Sequence, residues 1–140
     1  MSQNGYVKEY GKVSISTASN EMLLLMLYDG AIRFIHSAGA GIREGDMAGK
    51  RASVSSAIAV ITELLDSLNT EIGGETAENL QKLYLYMNEQ LIKANLKNDA
   101  SLLDEVLSLL VTLREGWNEV ISNQKAGQTS ERKEMAVGAK

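Results

Sequence analysis

The sequence predicts an all-α chain folded as an antiparallel up-down four-helix bundle, and three observations carry that prediction. Apolar residues recur at i, i+3, i+4 and i+7 through four successive stretches, the period of helices with a buried face. The stretches are parted by short breaks at Gly45, Gly73-Gly74 and Asn95-Leu-Lys-Asn-Asp99, which suit antiparallel neighbours. The chain also has no Pro, one Trp, one Phe and five Tyr. A small β-sandwich or barrel draws on turn residues and on aromatic and β-branched strands, which this composition does not offer.

Residues 1–18 read as an extended N-terminal arm, polar and dotted with Ser, Thr and Gly. Within it Tyr6, Val7, Tyr10, Val13 and Ile15 are apolar at positions no regular element explains, so the arm is expected to pack back onto its own domain. The bundle spans residues 19–124. Ser19 or Thr17 caps its first helix, Glu21 suits the positive end of the helix dipole, and the periodicity runs to Ile42 before Gly45 stops it. Asp46 caps the second helix, whose stripe is Val54, Ala57, Ile58, Ile61, Leu64, Leu65, Leu68 and Ile72, with Gly73-Gly74 as its end. The third starts near Glu75 or Thr76 and carries Leu80, Leu83, Tyr84, Met87, Leu91 and Ala94. Asn98 or Asp99 caps the fourth, with Leu103, Val106, Leu110, Leu113, Trp117 and Ile121 as its stripe. Beyond Gln124 the composition turns small, polar and charged, so residues 125–140 are expected to form a flexible tail.

Three helices carry more apolar surface than one stripe of about 100° needs. Met22-Leu-Leu-Leu-Met-Leu-Tyr28 covers the whole circumference of the first for two turns. The third adds a second line at Leu85, Ile92 and Leu96, and the fourth adds Leu102, Leu109 and Val111. Such an excess calls for a partner, and two helices with surplus apolar faces suit an amphipathic segment laid between them. Gly30, Gly39, Gly41 and Gly116, each costing a helix about 1 kcal/mol relative to Ala, are candidate points of close backbone approach.

Composition excludes several kinds of chemistry. At 140 residues the chain is one domain, and without Cys it has no disulfide, thiolate zinc site, iron–sulfur cluster or cysteine nucleophile. One His cannot supply a di-metal Glu-x-x-His bundle from a single chain. A net charge of −4 without a basic stripe argues against nucleic acid, and no apolar run reaches the roughly 18 residues of a membrane span, so a cytoplasmic protein is expected. Gly45-Asp-Met-Ala-Gly49-Lys50 has three spacers where a phosphate loop needs four, and Arg51 stands where the Ser or Thr belongs. Gly39, Gly41 and Gly45 miss the dinucleotide fingerprint by one residue and follow a helix, not a strand. His36, mid-helix, is the only candidate phospho-acceptor, but Ser37-Ala-Gly-Ala after it offers no cation for a phosphoryl group. Asp104/Glu105 and Glu115/Glu119 read as solvated faces.

Five segments, in order, carry a resemblance: Val13-Ser-Ile-Ser-Thr-Ala-Ser19, Leu25-Met-Leu-Tyr-Asp-Gly-Ala-Ile32, Leu83-Tyr-Leu-Tyr-Met87, Ala94-Asn-Leu-Lys-Asn-Asp99 and Leu113-Arg-Glu-Gly-Trp117. Together they resemble the flagellar export chaperone family FliS over residues 6–121, with Asn20 where that family commonly has Pro. The resemblance implies a bundle without catalytic activity or cofactor that binds the C-terminal segment of flagellin. It further implies that the bundle prevents premature polymerisation and presents the subunit to the flagellar type III export gate. It also implies that the arm, through Tyr6, Val7 and Tyr10, folds over a cleft that flagellin uses. The expected partner surface is those three residues with Leu25, Tyr28, Ile32, Leu85, Ile92, Leu96, Leu102 and Leu109. The residues alone leave two alternatives, a phosphotransfer domain using His36 and a bundle whose excess lines pair as a weak homodimer.

Overall fold

The computed structural model describes the backbone of residues 17–138 and the side chains of residues 20–127. Four helices follow one another: α1, Thr17–Glu44; α2, Met47–Asp66; α3, Thr70–Lys97; and α4, Ala100–Gly138. Each packs on the next and α4 closes against α1, so the helices form a ring around one core. The connections are two or three residues long, which forces each helix to run back along its predecessor.

The core is the four predicted stripes turned inward. Tyr28, Ala31, Ile35 and Ala38 meet Val54, Ala57, Ile61 and Leu64, and these meet Tyr84, Met87, Leu91 and Ala94 with Leu103, Val106 and Leu110. In every helix the set repeats at three and four residues, so each helix turns one face into the core.

The turns are built by side chains that satisfy helix ends. Gly45 turns left-handed at φ 74°, and Asp46 Oδ1 accepts the Gly49 N–H at 2.9 Å to start α2. Gly41 is where α1 and α2 nearly touch: a Cβ there would lie 3.0 Å from Asp46 O, from Lys50 Cβ and from Lys50 N. The other three candidate glycines make no such approach among the described residues. A Cβ on Gly39 would meet only Arg43 Nη1 at 3.4 Å, and on Gly30 or Gly116 nothing within 4 Å.

The break between α2 and α3 comes earlier than the periodicity predicts. Ser67 Oγ donates to Leu64 O at 2.7 Å at the end of α2, and Asn69 Oδ1 accepts from Ile72 N at 3.2 Å to open a new turn. Leu68 and Ile72 keep the apolar phase of α2, but two capping residues outrank it, and Ile72 ends 86% exposed. Gly73-Gly74 is then a kink inside α3, with Gly74 at φ 55°, ψ −133°. At the other junction Asn98 ends α3 in the left-handed region at φ 51°, and Asp99 Oδ1 accepts from Ser101 N at 2.9 Å and Oγ at 2.6 Å. Those bonds, the side-chain one first, hold the Asp99 carboxyl below its ordinary range.

α4 runs past Gln124, where the sequence pattern places the end of the bundle, and continues to Gly138. The added stretch is rich in Lys, Gln, Glu, Arg, Met and Ala, all good helix formers, and contains no Pro.

Candidate partner-binding surface

Four of the five segments that carry the family resemblance lie within the described residues, and polar groups of each fasten the bundle. Trp117 Nε1 donates to the Tyr28 hydroxyl at 3.1 Å, and Tyr28 in turn shares a hydrogen bond with the Tyr84 hydroxyl. The two tyrosine rings lie tilted by 53° with centroids 6.5 Å apart. Burial raises both phenols above their ordinary value, so they stay protonated and available as donors. Next along α1, Asp29 receives Arg114 as a forked pair, Nε to Oδ1 at 2.5 Å and Nη2 to Oδ2 at 3.3 Å. That pair raises the Arg114 pKa and pins α4 to α1. Lys50, only 4% exposed, reaches from α2 to the end of α3, donating to Asn95 O at 2.8 Å and Asn98 Oδ1 at 2.5 Å. The Asn-Leu-Lys-Asn-Asp stretch is thus a turn whose asparagines accept a buried cation and whose aspartate caps the next helix.

The predicted surface residues fall into distinct places. Leu85, Ile92 and Leu96 are 51%, 52% and 78% exposed and share one outward edge of α3, since a spacing of seven and four keeps them within about 40°. Asn88, which donates to Thr62 Oγ1 of α2, lies about 60° from that edge, and Tyr86, bonded to Glu105 of α4, about 100° the other way. The line therefore faces outward on the α2 side. Leu102 and Leu109 are not part of it. They stand three and four residues from Glu105, which Tyr86 and Gln90 hold, and are half-buried in the seam between α3 and α4. Leu25 and Ile32 are half-buried on α1. Tyr28 is 0% exposed, an interior residue with no surface to offer while the bundle is closed. Tyr6, Val7 and Tyr10 lie outside the described residues. His36 is exposed on α1, and among the described residues no three His, Cys, Asp or Glu groups gather to hold a metal.

Two features lie outside the predicted set. Met22 and Met26, 57% and 59% exposed, continue the apolar excess at the start of α1. The all-apolar Met22–Tyr28 run signalled the excess but not which of its members would face outward. At the end of the bundle where α2 passes into α3, a cavity of about 390 Å³ is lined by Leu24, Leu68, Ala77, Leu80, Tyr84 and Trp117. It draws on α1, α3, α4 and the connection after α2, so no local sequence pattern could announce it. Among the described residues no helix is long and apolar enough to cross a membrane.

Comparison with known proteins places this architecture. The family model described as "Flagellar protein FliS" matches residues 2–124. The flagellar secretion chaperone FliS of Salmonella typhimurium is 39% identical over 119 residues, covering 81% of this chain and 88% of that protein. The FliSB chaperone of Pseudomonas aeruginosa is 36% identical over 118 residues, with coverages of 81% and 94%. The Bacillus subtilis FliS chaperone is 35% identical over 123 residues, with 88% and 90%. The bundle, its fastening pairs and its matches along nearly the whole described chain lead to one conclusion: this chain belongs to the FliS family of flagellar proteins.

Proposed function

We propose that this chain is a cytoplasmic chaperone for flagellin: it captures the C-terminal segment of the subunit, keeps it from polymerising early and delivers it to the flagellar type III export gate. One observation supports the reading most. The core of the bundle closes without Leu85, Ile92 and Leu96, yet these three stand half or more exposed in a line along α3. A flagellin terminus polymerises through an apolar face, and an aligned apolar edge on a folded partner can cover that face. Covering the exposed half of each Leu or Ile contributes about 1 kcal/mol per residue, offset by ordering the captured segment. The half-buried Leu102 and Leu109 would extend the contact only if the captured segment enters the α3–α4 seam, and the interior Tyr28 acts on binding through the packing of α1.

In this reading Tyr6, Val7 and Tyr10 occupy part of the groove until flagellin displaces them. Deleting residues 1–12 is then expected to change the on-rate or affinity for a flagellin C-terminal peptide, measured by stopped-flow and calorimetry. The direct test of function is light scattering from flagellin polymerising alone and with one equivalent of this chain. Suppressed growth is the expected result, and growth at the same rate in both samples would contradict the reading.

A further inference from the structure

The most exposed large apolar side chain among the described residues stands at the mouth of the cavity at the α2–α3 end. Ile72 is 86% exposed, yet it lines that cavity together with Leu24, Leu68, Leu80 and Trp117. It belongs to a turn that holds itself together. Asn69 accepts from Ile72 N through Oδ1 at 3.2 Å and from Gly73 N through its carbonyl at 2.8 Å. On one side this turn is joined to α2 by Ser67 and Leu68, which lie outside the helices, and on the other to the body of α3 by Gly74. Residues 69–76 are all exposed, and no side chain of residues 70–73 bonds to another element among the described residues.

Both glycines belong to the bend. Gly74 sits at φ 55°, ψ −133°, where a side chain would be strained, while glycine reaches the negative-φ regions about as readily. A Cβ on Gly73 would lie 2.6 Å from Ala77 Cβ, whereas positions four apart in a continuous helix hold their Cβ atoms about 5–6 Å apart. A straight α3 would also re-aim Ile72. It stands eleven residues before Leu83, which at 100° per residue leaves the two about 20° apart, and Leu83 packs half-buried against the core.

We propose that residues 69–73 form a lid that closes by rotation of Gly74 to helical values, straightening α3 and carrying Ile72 into the cavity against Leu24 and Trp117. The structure holds the open form. The bonds at Asn69 travel with the lid unbroken, and Ser67 and Leu68 take up the displacement. Closure removes the Ile72 side chain and the apolar cavity walls from water together, at the cost of ordering the glycine pair. The bundle then has two end states, one with the recess accessible and one in which the chain fills it with its own side chain. The device is separate from the outward line of Leu85, Ile92 and Leu96, and it stands or falls apart from flagellin capture.

The chain has no Cys, so Ile72→Cys introduces a single thiol whose reaction with a water-soluble disulfide reagent reads the open state. In the full chain with its glycines it should react about as fast as a free peptide thiol. Adding Gly73→Ala and Gly74→Ala, which burden the bent form and not the straight one, should slow it about tenfold. Trp117, the only tryptophan, gives a second reading. With Ile72 in place the two alanines should shift its emission to the blue, and with Ile72→Asp they should not. Either an unslowed thiol or an unmoved emission in the alanine pair overturns the proposal. If the alanine pair fails to fold, relaxation dispersion on the unaltered chain decides. The Gly74 amide and the Trp117 indole should then exchange with one common rate constant, lost in Ile72→Asp, and flat profiles at both would overturn the lid.

Discussion

Lys50 shows how a single side chain can hold two turns. Its buried ammonium pairs with no carboxylate among the described residues and is satisfied by one backbone and one side-chain oxygen at the end of α3. Lys50→Met keeps the packed stem and removes both charge-assisted bonds, so urea denaturation should show about 2 kcal/mol lost at unchanged m-value. The helical glycines split by what surrounds them. Gly116→Ala places its methyl in open space on α4 and should stabilise by about 1 kcal/mol. Gly41→Ala drives its methyl against the Asp46 and Lys50 backbone, and the overlap should outweigh the helix gain for a net loss of about 1–2 kcal/mol. Thermal unfolding of the two variants side by side checks the opposite signs. Tyr84, whose pKa burial raises from its usual 10.0, makes a pH prediction. The folded state keeps the phenol proton that the unfolded chain releases, so this contribution is intact below pH 10 and declines above it as the unfolded chain ionises. Tyr84→Phe should flatten the alkaline loss of stability, and an unchanged slope would contradict the assignment.

At the scale of elements, the helices were legible because each core stripe is a strict three-and-four repeat, and the turn at Asp46 because its capping residue is unambiguous. The junction at residues 67–74 was misplaced for a physical reason. Leu68 and Ile72 keep the phase of α2, and periodicity carries no term for Ser67 and Asn69, whose side chains bond the backbone and end one helix while starting another. Asn69→Ala removes the cap and should cost about 1 kcal/mol by thermal denaturation, whereas the same change at a solvated site would cost almost nothing.

At the scale of the molecule, the excess of apolar residues was visible in the sequence, but its distribution was not. Leu85, Ile92, Leu102 and Leu109 look alike as letters. Only the ring of helices decides that the first two face outward and the last two line a seam, because the neighbour on each flank is a property of the assembled bundle. Four of the five segments that carry the family likeness fasten that bundle, through Asp29 with Arg114, Tyr28 with Tyr84 and Trp117, and Lys50 with Asn95 and Asn98. They hold α3 in place, and its outward edge is free to bind. The central claim is that this edge captures the flagellin terminus, and it is tested most directly by calorimetry of Ile92→Asp with a flagellin C-terminal peptide. Ile92 is 52% exposed, so the variant should keep its helical circular dichroism while a charge facing the captured apolar surface abolishes measurable binding. Affinity equal to that of the unaltered chain would contradict the account.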